Sequence, residues 1–330
     1  MLNKRVLLAS RPQGAVTPDN FRVDEAPLPQ PGDGEVLVRN EWLSLDPYMR
    51  GRMSDAKSYV PPAELGAPMV GQTVGEVVES KHPGFKPGDR VLTSLGWQQY
   101  GVAKGKELRV VDARRIPASY YLGILGMPGM TAWFGLFDIG KPKAGETLVV
   151  SAASGAVGSV VGQLAKSEGL RVVGIAGGRE KCDHVVKELG FDACIDHRAG
   201  KLADDLRAAC PDGIDIDFEN VGGEVLETVI RQMNRFGRVI VCGLIAEYSA
   251  TQPHAYKSLR AILVNRLRVQ GMIVFDWKDR YEEAIADLGA RVAAGKLKYK
   301  ESIVQGLENA PQGLIALLGG RNFGKQLVKL

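Results

Sequence analysis

The sequence predicts an α/β chain of two domains, a mostly antiparallel β domain plus a doubly wound parallel-sheet domain. Three observations carry this. Residues 147–158 run from a β-branched apolar strand through small residues into a helix; strand and helix then alternate to about residue 297; before about Tyr120 only short strands with turn punctuation occur. At 330 residues the chain is longer than most single cores, and its 45% hydrophobic content is ample for two.

In the first part, residues 36–39, 70–78, 90–93 and 98–102 read as strands. They are separated by Pro29-Gln-Pro-Gly-Asp-Gly34, His82-Pro-Gly84 and Lys86-Pro-Gly-Asp89. Between them, Pro47 fixes a turn just before Tyr48, and Ser58-Tyr-Val-Pro-Pro62 follows, so Tyr48 and Tyr59 are expected on irregular backbone where functional side chains are often carried. The competing reading has both rings packed on the core edge with local hydrogen bonds. At residue 127 the composition changes, and Met127-Pro-Gly-Met-Thr-Ala-Trp-Phe134 reads as a helix after a proline start, with Thr131, Ala132 and Phe134 suited to close packing.

Residues 147–151 form a buried strand, and Ala153-x-Gly155-x-x-Gly158 matches the dinucleotide fingerprint G-x-G-x-x-G with alanine first. Such a turn lets backbone approach a pyrophosphate at a helix N-terminus, here expected near Gly155. Val157, Val160, Val161, Leu164 and Ala165 give that helix an apolar face, Gly169 stops it, and residues 171–176 make the second strand of a βαβ unit. An acid closing the second strand would bond the ribose 2′-hydroxyl of NAD. Here the tip is Gly177-Gly178-Arg179-Glu180-Lys181, two cations about one acid, so a 2′-phosphate and hence NADPH is the expected cofactor. An ordinary solvated turn is the alternative.

Further strands are expected at 193–196, 214–219 and 239–244, with helices at 180–189, 203–209 and 224–233. Ligands of such sheets lie at the carboxyl ends of strands, which directs attention to residues 220–223 and 242–245, and to 273–275 at the expected end of the last strand. The carboxylates of Asp212-Gly-Ile-Asp-Ile-Asp217 lack metal-loop spacing and are expected at edges and turns. The tail, with strands at 299–304 and 326–330 about a helix at 309–318, returns to the style of the first domain. The domains are thus drawn as 1–126 with 298–330, and 127–297.

A net charge of +4 from interspersed Lys and Arg gives no basic stripe for nucleic acid, and no apolar stretch approaches the roughly 20 residues of a membrane span. With no secretory signal read at the N-terminus, the cytoplasm is the expected setting. Cys182, Cys194, Cys210 and Cys242 are far apart in sequence with no C-x-x-C pair, as reduced structural thiols would be. A catalytic zinc needs about three Cys, His or carboxylate ligands, yet no Cys precedes residue 182 and His82 is the sole His of the first domain, so no metal is expected. His184, on the helix after the second strand, and His254, in a loop, are read as surface residues.

Seven ordered stretches carry a family resemblance: Leu45-Asp-Pro-Tyr-Met-Arg-Gly-Arg-Met53, Ser58-Tyr-Val-Pro-Pro62, Gly126-Met-Pro-Gly-Met-Thr-Ala132, Ala152-Ala-Ser-Gly-Ala-Val-Gly158, Ala176-Gly-Gly-Arg-Glu-Lys-Cys182, Glu219-Asn-Val-Gly-Gly223 and Asn322-Phe-Gly-Lys325. Along essentially its whole length the chain resembles the zinc-free medium-chain dehydrogenase/reductases. Within them it resembles the prostaglandin/leukotriene reductase and plant double-bond reductase branch, bacterial curcumin-reductase-like proteins most. The resemblance implies a GroES-like first domain and a Rossmann NADPH-binding second domain. It implies that Gly155, Ala156, Val157 and Gly158 hold the pyrophosphate and that Gly178 and Lys181 serve the 2′-phosphate. It further implies that Asn220, Cys242, Gly243, Leu244, Ile245, Tyr248, Ile273, Val274, Phe275 and Asn322 line the rest of the cofactor site, with Met127 and Thr131 near the nicotinamide. His197 stands where the eicosanoid reductases carry a Tyr beside the adenosine, and Val264 where they offer a Tyr to substrate, so their eicosanoid preference is not carried over. A homodimer through residues 268–275 is also implied.

The expected reaction is zinc-independent hydride transfer from NADPH to the C=C bond of an α,β-unsaturated ketone or aldehyde, a small-molecule enone or enal. A hydroxyl donor would stabilise the enolate oxygen in the transition state; Tyr59 and Tyr48 are the leading candidates, with Tyr248, Tyr256 or the cofactor ribose behind them. The alternatives are an NADPH:quinone reductase on the same scaffold, a non-catalytic NADPH-binding protein, and, against the ligand count, an NAD-linked zinc alcohol dehydrogenase.

Overall fold

Continuous apolar runs bounded by glycine make parallel strands buried on both faces, whereas runs broken by charge make antiparallel ones; the chain keeps the two kinds in separate parts. The computed structural model describes residues 2–114 and 116–330. In chain order come β1 (Leu2–Leu8), β2 (Phe21–Pro27), β3 (Glu35–Ser44), a one-turn helix α1 (Tyr48–Arg52), β4 (Thr73–Ser80), β5 (Arg90–Thr93), β6 (Tyr100–Lys104) and β7 (Arg109–Val110). Helix α2 (Met127–Phe134) leads to β8 (Thr147–Ser151), α3 (Gly158–Ser167), β9 (Arg171–Ala176), α4 (Arg179–Lys187), β10 (Ala193–Asp196) and α5 (Leu202–Ala209). Then follow β11 (Ile214–Glu219), α6 (Gly223–Ile230), β12 (Met233–Val241), α7 (Leu259–Asn265), β13 (Arg268–Gly271) and α8 (Tyr281–Ala293). The chain closes with β14 (Glu301–Gln305), α9 (Ala310–Leu318) and β15 (Lys325–Lys329).

These elements form two units, Met1–Gly123 with Glu301–Leu330, and Ile124–Lys300. In the first unit a seven-stranded sheet runs β14-β15-β3-β4-β5-β7, with β6 also paired to β3. Its pairings are antiparallel apart from β14 with β15. Leu43, Leu45, Met49, Met53, Trp97 and Leu314 meet in its core, and Trp97 stacks on Phe21 with ring centroids 5.2 Å apart. Several elements differ from the sequence expectation, the short β7 among them. The β1–β2 hairpin was not foreseen, and Tyr48 lies on a helix, not on irregular backbone: Pro47 takes αR geometry at the N-cap, so its fixed φ starts α1.

The second unit is a six-stranded parallel sheet in the order β10-β9-β8-β11-β12-β13. The order reverses between β8 and β11, and ligands of such sheets lie at that switch point. One face packs Val149, Val173, Val239 and Ile214 against α5 and α6. On the other, Gly135 lies so close to Phe218 that a Cβ there would come within 2.5 Å of the ring.

Asp217 corrects the expectation of edge and turn carboxylates. It is fully buried in the central strand β11, opposite Val149 of β8 and Val239 of β12, and neither carboxylate oxygen has a hydrogen-bond partner. Burial and the neighbouring Glu219 push its carboxyl well above the usual range. Alternation marks a solvent face only where one face of a sheet is wet, and this strand is covered on both. Asp215 is instead satisfied by the Thr147 amide and the Asn234 side chain, both at 2.9 Å.

Candidate functional site

The turn from β8 into α3 is built from backbone. Ala152 adopts a left-handed conformation (φ 49°), and the Gly155 amide donates to its carbonyl at 2.8 Å. A Cβ on Gly158 would stand 2.5 Å from that carbonyl oxygen, and one on Gly155 would stand 3.0 Å away. Only glycine therefore fits at Gly158 without moving the strand end. The helix begins at Gly158 with Val157 at its N-cap, three residues later than expected, because residues 152–156 are consumed in the turn.

At the next strand tip, basic groups converge. Gly178 (φ 98°) precedes α4, and Asp196 at the end of β10 accepts its amide at 2.8 Å and the Arg198 amide at 3.0 Å. That brace folds the chain after β10 over Gly177, where a Cβ would come within 2.9 Å of Arg198 Nε and 3.0 Å of His197 Nε2. Burial, then Arg198, hold the Lys181 ammonium below its usual range, and burial, Arg198 and Lys181 lower His197. The Lys181 and Arg198 cations, crowded beside a His197 that burial favours in its neutral form, are a grouping that can accept an anion. The sequence reading missed Arg198; its signal was the position just past the tip of the strand next to β9, where Asp196 pairs with Ala176.

The ends of β8, β11 and β12 are tied together by Glu219. Its carboxylate accepts from Ser151 Oγ at 2.5 Å, from the Gly222 amide at 3.0 Å and from the Val221 amide, and burial still raises its pKa against those donors. Asn220 bonds Ser151 through both amide groups, its backbone N–H reaching Ser151 Oγ at 2.7 Å and Nδ2 reaching the carbonyl at 2.9 Å. Cys242 and Gly243 donate to the Glu219 carbonyl, Ile245 donates to that of Asn220, and the Leu244 amide donates to the Tyr248 hydroxyl. Burial and Glu219 push the Cys242 thiol up to about 12. Tyr256 donates to Glu247 and accepts the Gly223 amide at 3.0 Å, and His254 packs edge-on against it.

Ile273, Val274 and Phe275 are not at a strand end as expected. β13 stops at Gly271, and residues 274–280 turn in a 3-10 segment. Val274 packs with Met130 and Phe134, Met127 borders that cluster, and Thr131 Oγ1 donates to the Met127 carbonyl at 2.8 Å. Phe275 is exposed.

In the first unit, Tyr48 is half-buried against the core at the start of α1. Burial, with Asp46 beside it, drives its hydroxyl pKa well above the ordinary tyrosine value, so the O–H keeps its proton and can only donate or accept as a neutral phenol. Tyr59 is 54% exposed and close enough to Tyr48 to add to that shift. Asn322 Nδ2 donates to the Gly324 carbonyl at 2.8 Å and fixes the turn into β15. The one His of this unit, His82, accepts the Gly84 amide on Nδ1.

A family profile described as the N-terminal domain of oxidoreductase matches residues 4–111, and one described as zinc-binding dehydrogenase matches residues 156–290. The "NADPH-dependent curcumin reductase" of Escherichia coli (strain K12) is 51% identical over 334 residues, 99% of this chain and 97% of its own length. The chain belongs to the medium-chain dehydrogenase/reductase family. This family member is also 41% identical to the "2-alkenal reductase (NADP(+)-dependent)" of Nicotiana tabacum, over 99% of this chain and 97% of the relative. The crystal structure of CurA from Vibrio vulnificus in complex with NADPH superposes with a TM-score of 0.95 at 49% identity, covering 99% of this chain and 98% of that one. Among the described residues, no three or more His, Cys, Asp or Glu side chains are grouped so as to hold a metal ion.

Proposed function

We propose that this enzyme reduces the C=C bond of α,β-unsaturated ketones and aldehydes with NADPH. The observation that carries the cofactor is the convergence of Lys181, His197 and Arg198 at the strand tip beside the β8–α3 turn. The fit is good: bare backbone at Gly155 and Gly158 suits a pyrophosphate, while Lys181 and Arg198 suit a 2′-phosphate. Gly178, His197, Asn220, the residues Cys242 to Tyr248, Ile273 to Phe275, Met127, Thr131 and Asn322 are assigned to the remainder of that site. The bound nucleotide supplies hydride.

The chain's own residues then manage charge and protons. Reduction at the β-carbon leaves negative charge on the substrate carbonyl oxygen, and a neutral phenol is a suitable donor to it. Tyr48 is the stronger choice, because its surroundings keep it protonated and α1 holds its backbone; Tyr59 is the second. Water or the same phenol returns a proton to the α-carbon. The relatives' names, curcumin and 2-alkenal reductase, support a conjugated carbonyl substrate.

A second copy of the chain is proposed to pair along β13. All four residues of that edge strand are exposed, and Leu263 on the adjoining α7 is 77% exposed. Light scattering should then read twice the 35.6-kDa chain mass, and a monomer reading would remove the proposal. No helix among the described residues is long and apolar enough to cross a membrane, and a cytoplasmic setting, with its NADPH supply, suits the reading.

The test is NADPH against NADH oxidation with 3-nonen-2-one and a panel of quinones. Preferential NADPH use with the enone supports the proposal; faster quinone turnover moves the assignment to quinone reduction; binding without turnover points to a non-catalytic protein.

A further inference from the structure

Outside the residues assigned to catalysis, the second unit holds two thiols that the fold brings together. Cys182 is in the first turn of α4, its amide donating to the Gly178 carbonyl at 3.2 Å. Cys194 is on β10, opposite Gly174 of β9. Eleven residues separate them in sequence, yet the two thiols are hydrogen-bonded to one another. Gly174 makes the room: a Cβ there would come within 3.2 Å of Cys194 Sγ and 3.0 Å of Val185 on α4, so only a bare backbone lets the sulfur lie between strand and helix.

We propose that Cys182 and Cys194 are a redox-modification site, closed by hydrogen peroxide into a disulfide that weakens binding of the phosphorylated nucleotide. The second half rests on the cofactor reading above. Cys182 is the attacking group: the Cys194 thiol donates to it and eases its ionisation, while Cys194 itself is held up by Cys182 and by burial. Cys182 is 8% exposed and Cys194 is partly exposed, enough for a reagent the size of peroxide. The Cys182 thiolate attacks one peroxide oxygen, the O–O bond breaks, and the departing hydroxide takes a proton, leaving a sulfenic acid. The Cys194 thiol, held against the Cys182 sulfur by the fold, then attacks it; the S–O bond breaks and the departing hydroxide takes the Cys194 proton and leaves as water. Two thiols lose two electrons and one peroxide becomes two waters.

The consequence follows from neighbours. Lys181 directly precedes Cys182, and Cys194 shares a strand face with Asp196, whose carboxylate braces both Gly178 and Arg198. A bond between the sulfurs draws the first turn of α4 toward β10 and resets the spacing of Lys181 from Arg198. The other two thiols are different: burial pushes Cys210 up to about 11 and Cys242, with Glu219, up to about 12, so both stay protonated and slow.

The full-length reduced protein is treated with hydrogen peroxide, quenched, alkylated and mapped by mass spectrometry, and its NADPH affinity is measured before and after. A Cys182–Cys194 linked peptide, a mass lower by about 2 Da, reversal by dithiothreitol and an NADPH Kd raised about five-fold or more are expected. Cys182→Ser, Cys194→Ser and Cys194→Ala should each abolish both the link and the affinity change. Two thiols that remain alkylatable, or Cys182 oxidised alone to a sulfinic acid, overturn the disulfide. A link that forms without changing affinity overturns the regulatory half. If the reduced protein binds no NADPH, the cofactor reading fails, while the mapping still decides the thiol pair.

Discussion

Lys325 Nζ lies 2.5 Å from Asp46 Oδ1, with the two side chains 1% and 6% exposed. The same ammonium donates to the Leu45 carbonyl at 2.9 Å, and Ser44 Oγ donates to the other Asp46 oxygen. β15 thus pins the segment that leads into α1 and Tyr48. Burial holds the Lys325 pKa below its usual value and Asp46 acts against that, so each charge is tolerated because of the other. Lys325→Met strands a buried carboxylate and should cost about 3–5 kcal/mol, read by denaturant unfolding. Adding Asp46→Asn should recover part of that loss, and a fully additive double variant would show that the pair is not coupled.

The two glycines of the β8–α3 turn should separate stability from binding. Gly158→Ala forces a Cβ against the Ala152 carbonyl and should cost roughly 1–3 kcal/mol. Gly155→Ala is under less pressure, so its loss in melting temperature should be smaller while NADPH binding still weakens. Calorimetry and a fluorescence titration on the same samples check both.

Replacing either cation at the second strand tip should change cofactor choice. Lys181→Met or Arg198→Met should raise the NADPH Kd about ten-fold or more, the value of a charge-assisted hydrogen bond near 1.4 kcal/mol. The NADH Kd should barely move. Parallel losses for both nucleotides would place the cluster away from the 2′-phosphate.

Tyr48→Phe should lower kcat with little change in NADPH affinity, and Tyr59→Phe should have the smaller effect. Steady-state kinetics with an enone, beside the NADPH titration, decides between the rings. Unchanged turnover in Tyr48→Phe removes it from the mechanism.

Asp217 predicts a pH slope. Its folded pKa is raised, so the folded protein holds a proton that the unfolded chain releases above about pH 4. The contribution is fully present below that pH and declines as pH rises toward the folded value, at up to about 1.4 kcal/mol per pH unit for one proton. Asp217→Asn should therefore raise the melting temperature at pH 8 and leave it nearly unchanged near pH 4. An equal shift at both would assign the effect to packing alone.

The nucleotide-binding unit was largely legible because strands such as Thr147–Ser151 and Arg171–Ala176 are unbroken apolar runs between glycines, a pattern with few competing readings. The β1–β2 pair was not, since both strands mix charges such as Lys4, Arg5, Asp24 and Glu25 with apolar residues. Helix α1 spans five residues, too short for a 3.6-residue period to register. Arg198 and the Cys182–Cys194 contact depend on which strands become neighbours, and local sequence does not carry that information. Asp217 misled because a carboxylate was expected at an edge or turn, whereas it lies within a strand covered on both faces.

Pairing of Leu327 with Ser44 has a bearing on how the polypeptide is made. Ribosomes deliver residues 124–300 as one uninterrupted stretch, so the second unit can close its sheet during translation. Its partner cannot: β3 waits with an open edge until β15 leaves the exit tunnel. A nascent polypeptide stalled between α9 and β15 should accordingly yield a protease-resistant second unit beside a digestible first one.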